Sequence, residues 1–211
     1  MQQLSELTTA VAGGKRVEVV RLTQELLAAG VPALQVVEQG LVPGMAIVGE
    51  RFRRNEIFVP EMLVAARAMK EALKVLEPLL VQAGIEPKYT AVIGTVQGDL
   101  HDIGKNLVSM MWRGANFKII DLGTNVAADR YVTAVREHKA QIVGLSALLT
   151  TTMGAMKDTV RALRDAGLTE VKIMVGGAPI TAEFAKEIGA DAYAADAGTA
   201  LEIAKTLVEA A

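Results

Sequence analysis

A chain of 211 residues has room for one large domain or two small ones, and a formal charge of −2 without any basic block argues against nucleic acid or an anionic membrane as partner. Hydrophobic residues make up 51% and aromatics only 4%, so the core has to be aliphatic and alanine-rich, yet no apolar run approaches the roughly 20 residues of a membrane span. Cysteine is absent, which excludes disulfides, zinc–thiolate sites and iron–sulfur clusters, and the Met1-Gln-Gln-Leu-Ser-Glu-Leu start lacks a basic, then apolar, signal pattern, so a cytoplasmic protein is expected.

Residues 1–82 contain no convincing strand. Four helical patterns follow one another, about Gln2–Ala12, Lys15–Ala29, Ala33–Arg53 and Glu61–Gln82, punctuated by Gly13-Gly14, Gly30-Val31-Pro32 and Asn55–Pro60. Val17, Val20, Leu22, Leu26 and Leu27 recur at helical spacing, as do Leu63, Ala66, Met69, Leu73 and Leu76. A small antiparallel four-helix bundle is expected. Its third helix carries Gly40, Pro43, Gly44 and Gly49, so a kink or break near Pro43 is expected. The connection Phe52–Glu61 holds large apolar residues in a short span. They either tuck into the bundle as a staple, the usual fate, or form an exposed apolar face that covers something.

Ala83–Lys88 reads as a linker, which divides the chain into 1–86 and 87–211. Beyond it strands and helices alternate. Strands are expected at about Thr90–Thr95, Lys118–Asp121, Ile142–Ser146, Lys172–Gly176 and Ala192–Ala194. Helices are expected at about Lys105–Arg113, Ala128–His138, Thr151–Asp165, Thr181–Ile188 and Gly198–Ala210. Strands each followed by a helix imply a parallel doubly wound α/β sheet, here in the flavodoxin-like order whose first and third strands diverge at a switch point.

The chemistry concentrates after the first strand, in Gly98-Asp99-Leu100-His101-Asp102-Ile103-Gly104. This loop lies beyond a strand's carboxyl end, where open α/β sheets bind ligands. It holds one of the chain's two histidines. Asp99 and His101, one residue apart, can face the same side of a turning loop. A carboxylate then holds one imidazole nitrogen as N–H and leaves the other as a lone pair, the arrangement of a metal-ligating histidine. Gly98 and Gly104 let the backbone turn and a planar group approach. A helix-entry loop with a capping or surface histidine would explain the same residues. Two further loops share this edge, Leu145-Ser146-Ala147-Leu148-Leu149-Thr150 and Val175-Gly176-Gly177-Ala178-Pro179. Each has an ordinary explanation: Gly-Gly-Ala-Pro makes a turn, and Ser146 could cap a helix. Their convergence beside Asp99-x-His101 is harder to explain that way.

The Asp99-x-His101-x-x-Gly104 loop, Ser146-x-Leu148 and Gly176-Gly177 together resemble the cobalamin-binding domains of methionine synthase and of corrinoid proteins in methyltransferase systems. The resemblance spans essentially the whole chain, helical cap included. It implies that cobalamin or a related corrinoid is bound, with His101 as lower axial cobalt ligand and Asp99 orienting it and supporting its protonation. Gly98, Leu100, Asp102, Ile103 and Gly104 would complete that loop's contacts. Ser146, Leu148, Thr150, Gly176, Gly177 and Ala197 would surround the nucleotide tail, and Phe52 and Val59 would lie over the upper face of the corrin. Relatives often have leucine at the position of Val59 and proline at that of Ala127. The implied function is to shuttle a methyl group, through cobalt(I) and methylcobalt(III) (methylcobalamin), from a substrate-specific methyltransferase to an acceptor methyltransferase, with a reductive activator protein as third partner and no turnover expected of the chain alone. The rivals are the cobalamin-binding subunit of a carbon-skeleton mutase, which has no use for this helical cap, and a cobalamin sensor, for which the chain shows no DNA-binding helix-turn-helix. His138, Trp112 and the methionines at 62, 69, 110 and 111 read as helix-end or core residues.

Overall fold

The computed structural model describes residues 2–84 and 87–209; Ile85 and Glu86 of the expected linker and Ala210 of the expected last helix lie outside the described residues. The chain divides into two compact units, one of Met1–Lys88 with Arg113–Asn116, the other of Tyr89–Trp112 with Phe117–Ala211. Among the described residues no helix is long and apolar enough to cross a membrane.

The first unit is helical: α1 (Gln2–Ala12), α2 (Arg16–Ala28), α3 (Ala33–Val36), α4 (Val42–Arg53) and α5 (Val59–Gln82). Helix α1 packs on α2 and α4, and α5 packs on α2 and α4. Near Pro43, where a kink or break is expected, the helix is irregular but not broken. A single π-helical turn, Val37–Leu41, joins α3 to α4 without interruption. Pro43 has no N–H, and the extra residue of a π turn accommodates such a gap. The Thr8 hydroxyl lies 3.0 Å from the Gly40 carbonyl and supplies a donor there. The glycines serve close packing against α1: a Cβ on Gly40 would fall 2.6 Å from Leu7 Cδ2, and one on Gly44 would fall 2.6 Å from Val11 Cβ.

Two expected core faces are shifted. Helix α2 buries Val19, Leu22, Thr23 and Leu26 and leaves Val17 exposed, while α5 buries Met62, Ala65, Ala68, Met69, Ala72 and Leu76 and leaves Leu63 exposed. Helix α5 is apolar over much of its circumference, so periodicity alone leaves its register open. The side turned inward is the one whose alanines let a neighbouring helix approach. At the start of α5 the Glu61 carboxylate accepts the Phe58 N–H at 3.1 Å, a capping contact. In the preceding connection Ile57 is buried and Phe58 is exposed.

In the second unit β1 (Tyr89–Thr95), β2 (Phe117–Asp121), β3 (Ile142–Ser146), β4 (Lys172–Gly176) and β5 (Ala192–Ala194) form one parallel sheet in the order β2-β1-β3-β4-β5. Helices α6 (Ile103–Gly114), α7 (Ala128–His138), α8 (Met153–Asp165), α9 (Ala182–Glu187) and α10 (Ala197–Glu209) connect and follow them. This is the flavodoxin-like α/β fold. Tyr131, Val135, Met156, Val160 and Leu163 pack with Val92, Val143 and Ile173 in one core layer. Trp112, fully buried, donates its indole N–H to the Ala200 carbonyl at 3.2 Å and so ties α6 to α10. Register aligns Thr95 with Ser146 and Ser146 with Gly176. The carboxyl ends of β1, β3 and β4 therefore form one edge, and the chain leaves β1 and β3 on opposite sides of it, which opens a crevice.

Candidate functional site

The loop after β1 turns at Gly98, whose φ of 85° suits glycine. The Gly98 N–H donates to Asn125 Oδ1 at 2.8 Å, and the Asn125 N–H returns to the Asp99 carbonyl at 2.9 Å. These bonds carry Asp99 inward until it has no solvent exposure. Its Oδ1 accepts the His101 N–H at 3.0 Å and meets His101 Nδ1 at 2.8 Å. Its Oδ2 accepts the Leu148 N–H at 2.7 Å and the Thr152 hydroxyl at 2.9 Å. Burial pushes the carboxyl pKa upward, but the bonds from His101, Leu148 and Thr152 outweigh it and hold the pKa well below the usual carboxylate range. Asp99 is thus an anion, and an anion can only accept. His101 Nδ1 therefore carries the proton, and in the neutral ring Nε2 keeps the lone pair.

The His101 side chain is 51% exposed, so the lone pair is open to a ligand from outside. Leu100 and Ile103, at the loop and the start of α6, and Leu148 and Leu149, whose backbone N–H groups donate to Asp99, are all exposed. Exposed large apolar side chains on the two loops that hold the histidine suit a surface that is covered by a ligand. Gly104 adds room: a Cβ there would meet nothing within 4 Å, although glycine weakens the first turn of α6. Asp102 accepts the Asn106 side-chain amide at 2.9 Å at the start of α6. A macrocyclic metal cofactor with apolar faces fits the chemistry of these residues, and His101 Nε2 would be the group to hold its metal.

The other expected residues fall into separate places. Ser146 is half-buried and Thr150 exposed at the end of β3, and among the described residues neither hydroxyl makes a side-chain hydrogen bond. Gly176 and Gly177 follow β4. A Cβ on Gly177, whose φ is 129°, would stand 1.8 Å from the Ala147 carbonyl oxygen, so contact between the β3 and β4 loops already requires glycine. Ala197 is buried at the first position of α10. Phe52 and Val59, in the helical unit, are half-buried.

Three contributors escape a reading of the sequence. Thr152 grips Asp99 from 53 residues away; its only signal is the Thr150-Thr-Thr152 run after Ser146-x-Leu148. Lys105, buried, places Nζ 2.7 Å from both Asp121 carboxylate oxygens and from Asn106 Oδ1, which pins α6 to the end of β2. Thr95 donates its hydroxyl to the His101 carbonyl at 2.8 Å.

A flavodoxin-like sheet with a carboxylate-held histidine on an exposed apolar loop at its switch point defines the class of domains that cradle a metal macrocycle. Residues 89–204 match the B12 binding domain family, and residues 3–77 match a second family also described as B12 binding domain. A corrinoid protein of Desulfitobacterium hafniense is 39% identical over 99% of this chain and 98% of its own length. Dimethylamine corrinoid protein 2 of Methanosarcina acetivorans is 41% identical over 97% of this chain and 95% of its own. In the crystal structure of the methanol:cobalamin methyltransferase complex of Methanosarcina barkeri, one chain superposes with a TM-score of 0.88 at 28% identity, over 100% of this chain and 81% of that one. The protein belongs to the B12-binding corrinoid protein family, and its cofactor is cobalamin or a related corrinoid.

Proposed function

We propose that the protein is the methyl-carrying corrinoid component of a methyltransferase system, of the kind that serves methylamines or methanol. It receives a methyl group from a substrate-specific methyltransferase and yields it to an acceptor methyltransferase, with a reductive activator protein restoring the cofactor. The observation that carries this reading is His101: half-exposed, with Nδ1 held by a buried carboxylate and Nε2 open on an apolar surface. Relatives named for dimethylamine and a structural neighbour from a methanol:cobalamin methyltransferase complex support the assignment of the system. When bound, the corrinoid supplies a cobalt centre that can take up a methyl group and give it away again.

The chain's own residues do the rest. His101 would hold the metal from below through Nε2, and Asp99 keeps the proton on Nδ1 and fixes the ring's tautomer. Leu148 and Thr152 keep Asp99 ionised by donating to it. Leu100 and Ile103 offer apolar area to the macrocycle, and Gly98 and Gly104 leave it room. Ser146, Leu148, Thr150, Gly176, Gly177 and Ala197, on loops along the same sheet edge, are proposed to hold the nucleotide tail. Phe52 and Val59, half-buried rather than buried, are proposed as the helical unit's shield for the methyl group.

The test is His101→Ala in protein loaded with cobalamin and reduced to cobalt(II). Corrinoid affinity should largely persist, because the tail supplies most contacts, while the axial nitrogen splitting in the electron paramagnetic resonance spectrum should vanish. Splitting that survives in the variant would remove His101 from the site.

A further inference from the structure

Thr95 is the last residue of β1 and has no solvent exposure. Its backbone is bound to the connection after β2 and its side chain to the histidine loop. Its N–H donates to the Gly123 carbonyl at 2.9 Å, and its carbonyl accepts the Val126 N–H at 3.0 Å. Its hydroxyl donates to the His101 carbonyl at 2.8 Å. The strand residue beside it in register is Ser146, at the root of the loop whose Leu148 and Thr152 grip Asp99. Thr95 is therefore the point where the rigid sheet meets the histidine loop.

The bonds on His101 divide in a useful way. Asp99 takes the N–H and the ring Nδ1, so it fixes the amino side of the residue and one edge of the ring. Nothing in that pair fixes the carbonyl side. Asp99 is itself gripped by Leu148 and Thr152, so it ties only the amino side of His101 to the loop after β3. Thr95 holds the carbonyl from the sheet, six residues back along the chain. With both flanking peptides held, Cα and Cβ of His101 stand still and the direction of Nε2 is set. The chemistry needs this because a ligand atom must be held within about 0.5 Å and 10–20° of its bonding geometry by groups that are themselves locked.

We propose that Thr95 is a positioning residue for the axial ligand: its hydroxyl anchors the His101 backbone to the sheet and thereby sets how fully the imidazole reaches the cobalt. The role presupposes that His101 is that ligand. Thr95 touches no reacting atom and acts only through His101.

Three proteins decide it, each the full chain loaded with hydroxocobalamin and reduced to cobalt(II): wild type, Thr95→Val and Thr95→Ser. Valine keeps the shape and the β-branch but loses the hydroxyl, whereas serine keeps the hydroxyl and loses the methyl. In Thr95→Val, about half or more of the cobalt(II) should lose axial nitrogen splitting while cobalamin affinity changes less than about threefold, since positioning and holding are separate tasks. Thr95→Ser should retain the wild-type spectrum. A valine variant with wild-type splitting, or a serine variant that loses it equally, would overturn the proposal. If the wild type itself shows no nitrogen splitting, His101 ligation fails first and the two failures are distinguished. A second measurement needs no variant and stands if Thr95→Val does not fold. In the unloaded wild type, a hydrogen-bonded Thr95 hydroxyl exchanges slowly enough to give a proton resonance with a cross-relaxation peak to the His101–Asp102 peptide. Rapid exchange, with no such resonance, overturns the anchor.

Discussion

Asp99 shows how a buried charge can be kept with dipoles. Its donors are two backbone N–H groups of the next loop, a threonine hydroxyl, and the N–H and ring of His101. Lys105, by contrast, is a buried cation paired directly with the Asp121 carboxylate. The difference fits the two tasks. A lysine beside Asp99 would compete with the imidazole for the carboxylate, whereas neutral donors leave one oxygen edge to the ring. Asp99→Asn keeps the shape but turns an all-acceptor group into one that must present N–H to at least one of these donors. It should destabilise the unloaded sheet unit by about 2–4 kcal/mol at neutral pH. The folded carboxyl titrates below the unfolded one, so its contribution is complete above the unfolded value of about 4 and fades as pH falls through the folded value. Denaturant titrations of both proteins at several pH values check this. The wild-type advantage should be in place at neutral pH and shrink below about 4, closing toward zero in strong acid. A gap that stays constant into acid would mean the carboxylate's charge is not what the site uses.

At the level of elements, the two kinds of packing glycine make a clean contrast. A Cβ on Gly40 would press the far end of the Leu7 side chain, which can turn aside, whereas one on Gly44 would press Val11 Cβ and stand 2.9 Å from the Thr8 carbonyl oxygen. Gly40→Ala should therefore be close to neutral, within about 1 kcal/mol, because alanine's better helix propensity offsets the crowding. Gly44→Ala should cost the helical unit about 1–3 kcal/mol, because the backbone of α1 has to move. Thermal or denaturant unfolding followed by far-ultraviolet circular dichroism separates them, and equal effects would contradict the close α1–α4 approach. The same helix marks the limit of reading the chain alone. Glycines beside a proline suggest a break, and only the neighbouring α1 reveals that they are there for contact. The strands of the sheet unit, by contrast, were readable to within a residue or two, because buried parallel strands are short apolar runs between turn residues. Asp99 and His101 were readable because they sit together in one loop. Thr152, Thr95 and the Lys105–Asp121 pair were not, since each works by a contact that the sheet topology creates.

For the whole molecule the question is which part of the chain holds the cofactor. Leu100, Ile103, Leu148 and Leu149 give the sheet unit exposed apolar side chains of its own, on and next to the two loops that hold His101. Phe52 and Val59 belong to the helical unit, which by itself matches a B12-binding family over residues 3–77. A ligand that binds only the folded state stabilises the unit it touches by RT ln(1 + [L]/Kd), about 2.7 kcal/mol at a hundredfold excess over Kd. For a domain of about 100 residues that raises the melting temperature by roughly 10 °C or more. Calorimetry across a series of hydroxocobalamin concentrations should show the transition of residues 89–209 rising with the logarithm of free cofactor. If the helical unit also holds the cofactor, its own transition rises in parallel and merges with the first. The double substitution Phe52→Ala with Val59→Ala should then uncouple the two, lowering the helical transition in the loaded protein while leaving the sheet unit's response intact. It should also speed photolysis of the methyl form, since the apolar shield is gone. A helical transition that ignores the cofactor in the wild type, with photolysis unchanged in the double variant, would confine cofactor binding to the sheet unit and leave the helices to packing or to partners.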